Sequence, residues 1–517
     1  MEVVKGVHYG YDYRSLPSLK TPYRSITLKL RFWSRMGTEI ELVVRRKAAL
    51  WTMEHADESD HRLPIPPTFS SGALEMTNKP SRRTFVKASA AVGAGYWVAG
   101  GIAPRESRSA IERVQFGCIG VGGKGTSDSE DANRAGDVVA ITDIDEQTIA
   151  KEMKRFKTNP KVFYDFREML EKMGDKIDAV TVSVPDHSHA VAAATAMKLG
   201  KACFCQKPLT RTIWEARRLA DIAKEKGVAT QMGNQGSEKA GLREAAARIK
   251  AGFIGKVKEV HVWTNRPVWP QGIKRPEGEK PPAHVHWEQF IGPAPFREYS
   301  PAYHPFKWRG FWDFGTGALG DMACHTMNMP FAGCELVNPI AVKATTSGHN
   351  KETFPGWSII EFDFAATDNR PALKVFWYDG GKKADASMLS GKWSNGDETK
   401  TFDEIKNSGS LIVGDKGKIF SPDDYGAQYY WQTDSAPMEV EFERSPGHFR
   451  EWVDAIKGGK PAWSNFPEYA GKLTEVILLG NLAVWAAGEA KDDGQPVESP
   501  KLEWDQANLK VKGTDAY

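Results

Sequence analysis

The run RVQFGCIGVGGKG, Arg113 to Gly125, constrains this chain more than any other stretch. An apolar, β-rich segment passes at once into glycines spaced G-x-G-x-x-G: Gly120, Gly122 and Gly125, with Gly123 and Lys124 between. A strand that ends in such a turn and enters a helix opens a βαβ unit. The first glycine permits the tight turn, the second lets the main chain approach a pyrophosphate, and the third allows the helix to pack closely on the strand. The phosphates then rest against the unpaired N–H groups of the helix N-terminus. About twenty residues on, a second β-run, DVVAITDID, ends at Asp143. A carboxylate there holds a ribose diol and repels a 2′-phosphate, which favours NAD over NADP. The plainer role for Asp143 is a strand-end cap.

The alternation continues through KIDAVTVSVPDHSH, HAVAAATAMKLG, KACFCQKPL, TIWEARRLADIAKEKG and VATQMGNQG. Strand–helix alternation of this kind predicts a parallel sheet with right-handed crossovers, whose ligands lie beyond the carboxyl ends of the strands. Those ends hold the glycine turn, Asp143, Pro185 to His189, Gln206 to Pro208, and Asn234. Pro185, His189, Gln206 and Lys207 are expected on the cofactor, and His187 and Asn234 on the substrate. The alternative for the Asp186–His189 run is helix capping by Asp186 with solvated histidines.

From about Gly236 the rhythm stops. KVKEVHVWTNRP, PIAVKATTSG, WSIIEFDFAA and PALKVFWYDG read as strands of an antiparallel sheet. The fold class is therefore α/β: an N-terminal Rossmann-type domain over residues 111–235, then an α+β domain with a large, open, mainly antiparallel sheet over 236–492. A polar tail, 493–517, is expected to wrap a neighbour or fray. A net charge of +3 over 517 residues gives no reason to expect nucleic acid or a membrane surface as partner. Five cysteines without a regular spacing argue against a disulfide framework. His284, His286 and His304 lack metal-ligand spacing, so no metal is expected.

Asp321 and His325 are spaced i, i+4, one turn apart on one helix face. Oxidising a secondary alcohol requires a base for the hydroxyl proton and a cation or donor for the developing alkoxide. His325 suits the base, Lys207 the polarising cation, and Asp321 the group that orients or tunes them. Trp263, Arg266, Trp308 and Arg309 are candidate sugar contacts, the indoles offering apolar faces and the guanidiniums donors. For each indole the plainer reading is core.

These elements resemble the glucose–fructose oxidoreductase / inositol dehydrogenase (Gfo/Idh/MocA-type) family. The resemblance runs from Val114 to about Leu509 and is carried by CFCQKPL, GTGALGDMACH, GDKGKIFSPDD and the closing helical segment from Gly447. Lys207-Pro208 matches the family's Glu-Lys-Pro, whereas Gln206 replaces its glutamate. The resemblance implies that Lys207 reaches the nicotinamide and the substrate hydroxyl, that NAD (or NADP) is tightly bound, and that the outer sheet face builds a dimer or tetramer. It also implies a sugar, polyol or glycoside substrate, oxidised by hydride transfer. A redox-neutral glycosidase on the same fold and a non-catalytic sugar-binding protein are the alternatives. An amide at 206 supplies no charge beside Lys207, so the lysine is expected to lose its proton more easily.

Upstream, SRRTFVK, Ser81 to Lys87, resembles the twin-arginine export motif, and a short apolar run to Gly101 follows. That run is too short for a membrane span. Signal and linker are expected over 76–110, with Met76 as the true initiator, cleavage near Ala103 or Ala110, and residues 1–75 as a disordered upstream extension. The implied location is the periplasm, and the implied partner is the twin-arginine export machinery.

Overall fold

Short apolar runs alternating with helices bury both faces of a parallel sheet. The structure is a computed structural model that describes the strands β1 (Ser25–Trp33) and β2 (Glu39–Lys47) and residues 113–514 apart from position 437. The chain divides into two units, Met1–Ala103 and Pro104–Tyr517. In the first, β1 and β2 pair antiparallel, from Ser25 opposite Lys47 to Trp33 opposite Glu39. Their alternating sequences, SITLKLRFW and EIELVVRRK, carry the period of a strand, which corrects the expectation of disorder for this part of residues 1–75. The twin-arginine run, Met76 and the cleavage region lie outside the described residues.

In the second unit the nucleotide-type half runs β3 (Val114–Ile119), α1 (Lys124–Ala135), β4 (Gly136–Thr142), α2 (Glu146–Glu152), β5 (Lys161–Phe163) and α3 (Phe166–Met173). It continues with β6 (Ala179–Val182), α4 (Asp186–Lys198), β7 (Ala202–Cys205), α5 (Ile213–Lys226) and β8 (Thr230–Met232). The strands lie in the order β5-β4-β3-β6-β7-β8, all parallel. Every residue of β6 and β7 is buried, as a strand covered on both faces requires. Gly120 has φ 79°, and a Cβ there would stand 2.4 Å from the carbonyl oxygen of Ser183, just past β6. A Cβ on Gly125 would stand 2.3 Å from the Gly120 oxygen, so the turn and helix close on each other only through glycine.

The second half contains α6 (Ala240–Lys250), β9 (Val257–Trp263), α7 (Trp287–Ile291), α8 (Gly317–Thr326), α9 (Asn328–Cys334), β10 (Pro339–Thr346), β11 (Ser358–Phe364) and β12 (Leu373–Tyr378). Then follow β13 (Lys392–Ser394), β14 (Thr399–Thr401), β15 (Gly409–Gly414), β16 (Gly417–Ser421), β17 (Tyr430–Thr433), α10 (His448–Ile456), α11 (Gly471–Ala487), β18 (Val497–Glu498), β19 (Leu502–Asp505) and β20 (Lys510–Val511). Twelve strands form one sheet in the order β14-β13-β17-β16-β15-β9-β12-β11-β10-β19-β20, with β18 also on β10. Its pairs are antiparallel except β9 with β12. Helix α11 lies on this sheet: a Cβ on its Gly480 would meet Leu319 of α8 and Phe362 and Ile360 of β11. The segment Phe466–Ala487 is long and apolar enough to cross a membrane, yet 67% of its most apolar window is buried in the protein, as befits a core helix.

Two features depart from the sequence reading. The polar tail neither frays nor reaches outward: β18 and β19 pair with β10, and β20 pairs with β19, extending the chain's own sheet. The parallel sheet is also completed from far along the chain. Trp452 of α10 packs against Phe116 of β3 and Phe204 of β7, at ring separations of 5.8 and 5.6 Å. The β8 edge is held by Met232 N–H donating to the Ser464 carbonyl (2.9 Å) and Phe466 N–H donating to the Thr230 hydroxyl (3.0 Å).

Candidate functional site

At the carboxyl end of β3 the glycine turn leads into α1, whose N-terminus has no side-chain cap and no acidic residue in its first turn. Gly123, at φ 55°, has open space where a side chain would stand. An uncapped helix end behind a glycine turn fits a pyrophosphate. Asp143, just after β4, accepts Val121 N–H (3.0 Å) and Gly122 N–H (3.2 Å) on Oδ2 and Asp145 N–H (3.1 Å) on Oδ1. Burial raises its pKa against the pull of these bonds. Asp143 therefore fixes the glycine turn, as its plainer role of strand-end cap expects.

A polar chain joins this turn to Lys207. Asp128 of α1 is buried; it pairs with Lys124 and accepts the Ser183 hydroxyl (2.7 Å) and Gln206 Nε2 (2.8 Å). The Gln206 amide oxygen in turn accepts Lys207 N–H (3.4 Å). A glutamate at 206 would place a second carboxylate against Asp128, which explains why this chain carries the amide. The Lys207–Pro208 bond is cis. Lys207 Nζ donates to Asp321 Oδ1 (2.9 Å) and to the Asp321 carbonyl (2.6 Å). The expectation of a lysine without counter-charge is thereby corrected: the carboxylate comes from α8 instead of position 206.

Asp321 is also faced by Arg309 Nε (3.5 Å) and Arg266 Nε (3.8 Å). Burial works to raise its pKa, but the Lys207 ammonium and the Arg309 guanidinium together outweigh it and hold the group ionised below the usual carboxylate range. One turn on, His325 is buried edge-to-face against Tyr425, with ring centroids 5.0 Å apart. Burial first, then the Lys207 charge, push its pKa far down, so the imidazole is neutral. Among the described residues its Nδ1 has no partner, and neither do the two amide atoms of Asn234 beyond β8. A Cβ on Gly236 would stand 2.9 Å from the Tyr425 carbonyl oxygen, so Tyr425 bridges the loop after β8 and the His325 ring. Three buried polar atoms without partners among the described residues, one of them on the ring that feels the Lys207 charge, suit the hydroxyls of a ligand.

Other expected contacts are placed elsewhere. His187 is held by the Phe290 carbonyl at Nε2 (2.8 Å) and the Phe314 carbonyl at Nδ1 (3.2 Å). His189 is held by the Pro208 carbonyl at Nδ1 and the Val184 carbonyl at Nε2, both at 2.8 Å. Burial lowers both pKa values to about 4. Each neutral ring has one N–H, which donates to one of the two carbonyls while the other carbonyl stands close to the bare nitrogen; both rings are buried among main chain and brace the loops around α4. Pro185 precedes α4 as its N-cap residue. Trp263 lies in the core with its Nε1 donating to the Lys406 carbonyl (2.9 Å). Trp308 is also buried, and its face carries the Arg309 guanidinium at 4.3 Å. The indoles are thus corrected to core and support, while their neighbouring arginines reach the site. His286 bonds Glu146 at 3.0 Å and stacks on Tyr164.

Sequence reasoning missed Asp128, Thr316 and Tyr425. Thr316, just before α8, donates its hydroxyl to buried Asp186 (2.6 Å). Burial pushes the Asp186 pKa up to about 7, against that bond and the charges of Arg309 and Lys207. The i, i+4 pair Lys124/Asp128 was the only local signal for this network.

Residues 114–234 match a family model described as an oxidoreductase family, NAD-binding Rossmann fold, and residues 254–408 match its C-terminal alpha/beta domain. Together the matches cover just over half of the chain. The chain is 31% identical over 147 residues to inositol 2-dehydrogenase/D-chiro-inositol 3-dehydrogenase of Lacticaseibacillus casei, spanning 28% of this chain and 42% of that protein. It is 33% identical over 114 residues to scyllo-inositol 2-dehydrogenase (NAD(+)) of Bacillus subtilis, spanning 22% and 30%. It therefore spans less than half the length of these curated relatives. The WlbA dehydrogenase of Bordetella pertussis, solved in complex with NADH and UDP-GlcNAcA, has the same fold, with TM-score 0.51, 15% identity, and coverage of 75% of this chain and 99% of that one.

Proposed function

Because the chain belongs to the Gfo/Idh/MocA oxidoreductase family, with an NAD-binding Rossmann domain, we propose that it exchanges a hydride between a tightly held nicotinamide dinucleotide and a carbon of a sugar, polyol or glycoside. The observation that carries this reading is the grip of Asp321 on Lys207 beside neutral His325, joined through Gln206 and Asp128 to the helix that begins at the glycine turn. The glycine turn, the α1 N-terminus and Asp143 hold the dinucleotide, with Gln206 and Lys207 at the nicotinamide end. When bound, the cofactor supplies the hydride acceptor. The chain's own residues handle the proton and the charge. Lys207 donates to the substrate oxygen and stabilises the alkoxide that develops. His325 Nδ1, in the Nε2–H tautomer, takes the hydroxyl proton. Asp321 holds the ammonium in place and offsets the imidazolium that results. Asn234 positions a neighbouring hydroxyl.

Denaturing the purified protein and assaying released nucleotide tests the tight cofactor. Adding sugars and glycosides while following nicotinamide absorbance tests the reaction. Net reduction of bound cofactor supports the reading. Glycoside cleavage without net redox turns it into the redox-neutral glycosidase. Saturable binding with neither, unchanged in Lys207→Ala and His325→Ala, leaves a sugar-binding protein.

We also propose export in folded, cofactor-loaded form by the twin-arginine route to the periplasm. The run Ser81–Lys87 supports this. Replacing Arg82 and Arg83 by Lys and assaying the periplasm tests it: continued export would refute it. A dimer or tetramer through the outer sheet face is supported by the alternating exposure along β11.

A further inference from the structure

Three cations meet one carboxylate at the mouth of the site. Lys207 takes the direct bond to Asp321, while Arg309 and Arg266 stand at 3.5 and 3.8 Å. Both separations exceed the span of a normal N–H···O bond, so neither guanidinium closes its fork on Asp321. The other acid facing the cluster, Asp186, is already bonded to Thr316. Counting both acids as ionised still leaves positive charge in excess. Its pKa of about 7 makes that excess larger in near-neutral solution.

The two arginines are also held in place. The Arg309 guanidinium lies over Trp308 (4.3 Å) and Phe306 (4.8 Å), with Nη1 donating to the Phe306 carbonyl (3.1 Å). Arg266 is braced by Asn265. Their side chains are 23% and 25% exposed, those of Lys207 and Asp321 16% and 15%, so the cluster is open at its rim yet poorly screened. A neutral polyol can accept hydrogen bonds from the guanidiniums but leaves their excess charge uncompensated. An oxyanion relieves their mutual repulsion and accepts both forks.

We propose that the substrate of this site is a sugar bearing an oxyanion, and that Arg266 and Arg309 select it. This rests on the oxidoreductase reading and narrows its substrate class. A ring carboxylate and a phosphate ester share the required chemistry. The test is calorimetric binding to the cofactor-loaded protein of glucuronate, galacturonate and glucose 6-phosphate against glucose and galactose, repeated across ionic strength. At least one anionic sugar is expected to bind tenfold or more tightly than its neutral parent, and to weaken with salt while the parent does not. Tighter binding of the uronates identifies a carboxylate, and of the phosphate ester a phosphate. In Arg309→Gln and Arg266→Gln the preference is expected to fall to threefold or less, with partial return in Arg309→Lys; bound nucleotide in each variant reports folding. Equal or weaker binding of every anionic sugar overturns the proposal, as does a wild-type preference indifferent to salt. The two readings fail separately. Neutral sugars reduced with no anion preference sink the charge proposal alone. Salt-sensitive uronate binding without nicotinamide reduction by any sugar sinks the oxidoreductase reading alone.

Discussion

The two ends of the crevice are built in different materials. At the cofactor end the parts are main chain: a left-handed Gly120, a Gly125 against the Gly120 carbonyl, and a helix end without a cap, all within one short stretch. Asp143 acts there by gripping two N–H groups of the turn. At the proposed substrate end the parts are side chains, Lys207, Asn234, Arg266, Arg309, Asp321 and His325, drawn from segments far apart in sequence. Backbone geometry tolerates almost no substitution but needs few residue types. A charge cluster can be retuned one residue at a time, as the pairing of Gln206 with Asp128 shows.

The largest effect is expected at the main-chain end. Gly125→Val drives its side chain into the Gly120 carbonyl, and the purified variant is expected to carry no nucleotide and to melt well below the wild type; nucleotide retained at full occupancy would break the contrast. Next comes Lys207→Ala, which should lower hydride transfer by about 10²- to 10⁴-fold while the nucleotide stays bound, measured by single-turnover absorbance. Gln206→Glu is intermediate. It sets two carboxylates together, so stability should drop by roughly 1–3 kcal/mol in neutral solution and recover on acidification, as chemical denaturation at several pH values will show. The smallest concerns Asp186. Its pKa is raised in the folded protein to about 7, so its stabilising contribution is complete below the unfolded carboxyl pKa of about 3.9 and is lost as pH rises through about 7. Asp186→Asn should flatten that part of the stability profile; an unchanged slope would show that the carboxyl titrates elsewhere.

Legibility in the sequence follows the same divide. The parallel sheet and the glycine turn were readable because local alternation and spacing set them. Lys207, Asp321 and His325 were readable as residue types, and the fold does gather them. What each side chain faces was not readable where the partner lies on a distant loop. His187 and His189 sit at a strand end, where ligands bind, yet their ring nitrogens face carbonyls of Phe290, Phe314, Val184 and Pro208. Trp263 and Trp308 had the composition of a sugar platform, but burial of their indoles is decided by strands and loops elsewhere. The tail was polar enough to fray, and only the free β10 edge explains why β18 and β19 form.

The helix that seals the nucleotide half, with Trp452 against Phe116 and Phe204, spans His448–Ile456, far downstream of Ser81–Lys87. A growing chain therefore displays Ser81–Lys87 at the ribosome long before its dinucleotide compartment can be finished. If that run is a transport label, it becomes readable while the cargo is still open-sided, and timing, in the form of a delay between synthesis and translocation, becomes a requirement built into the order of the gene.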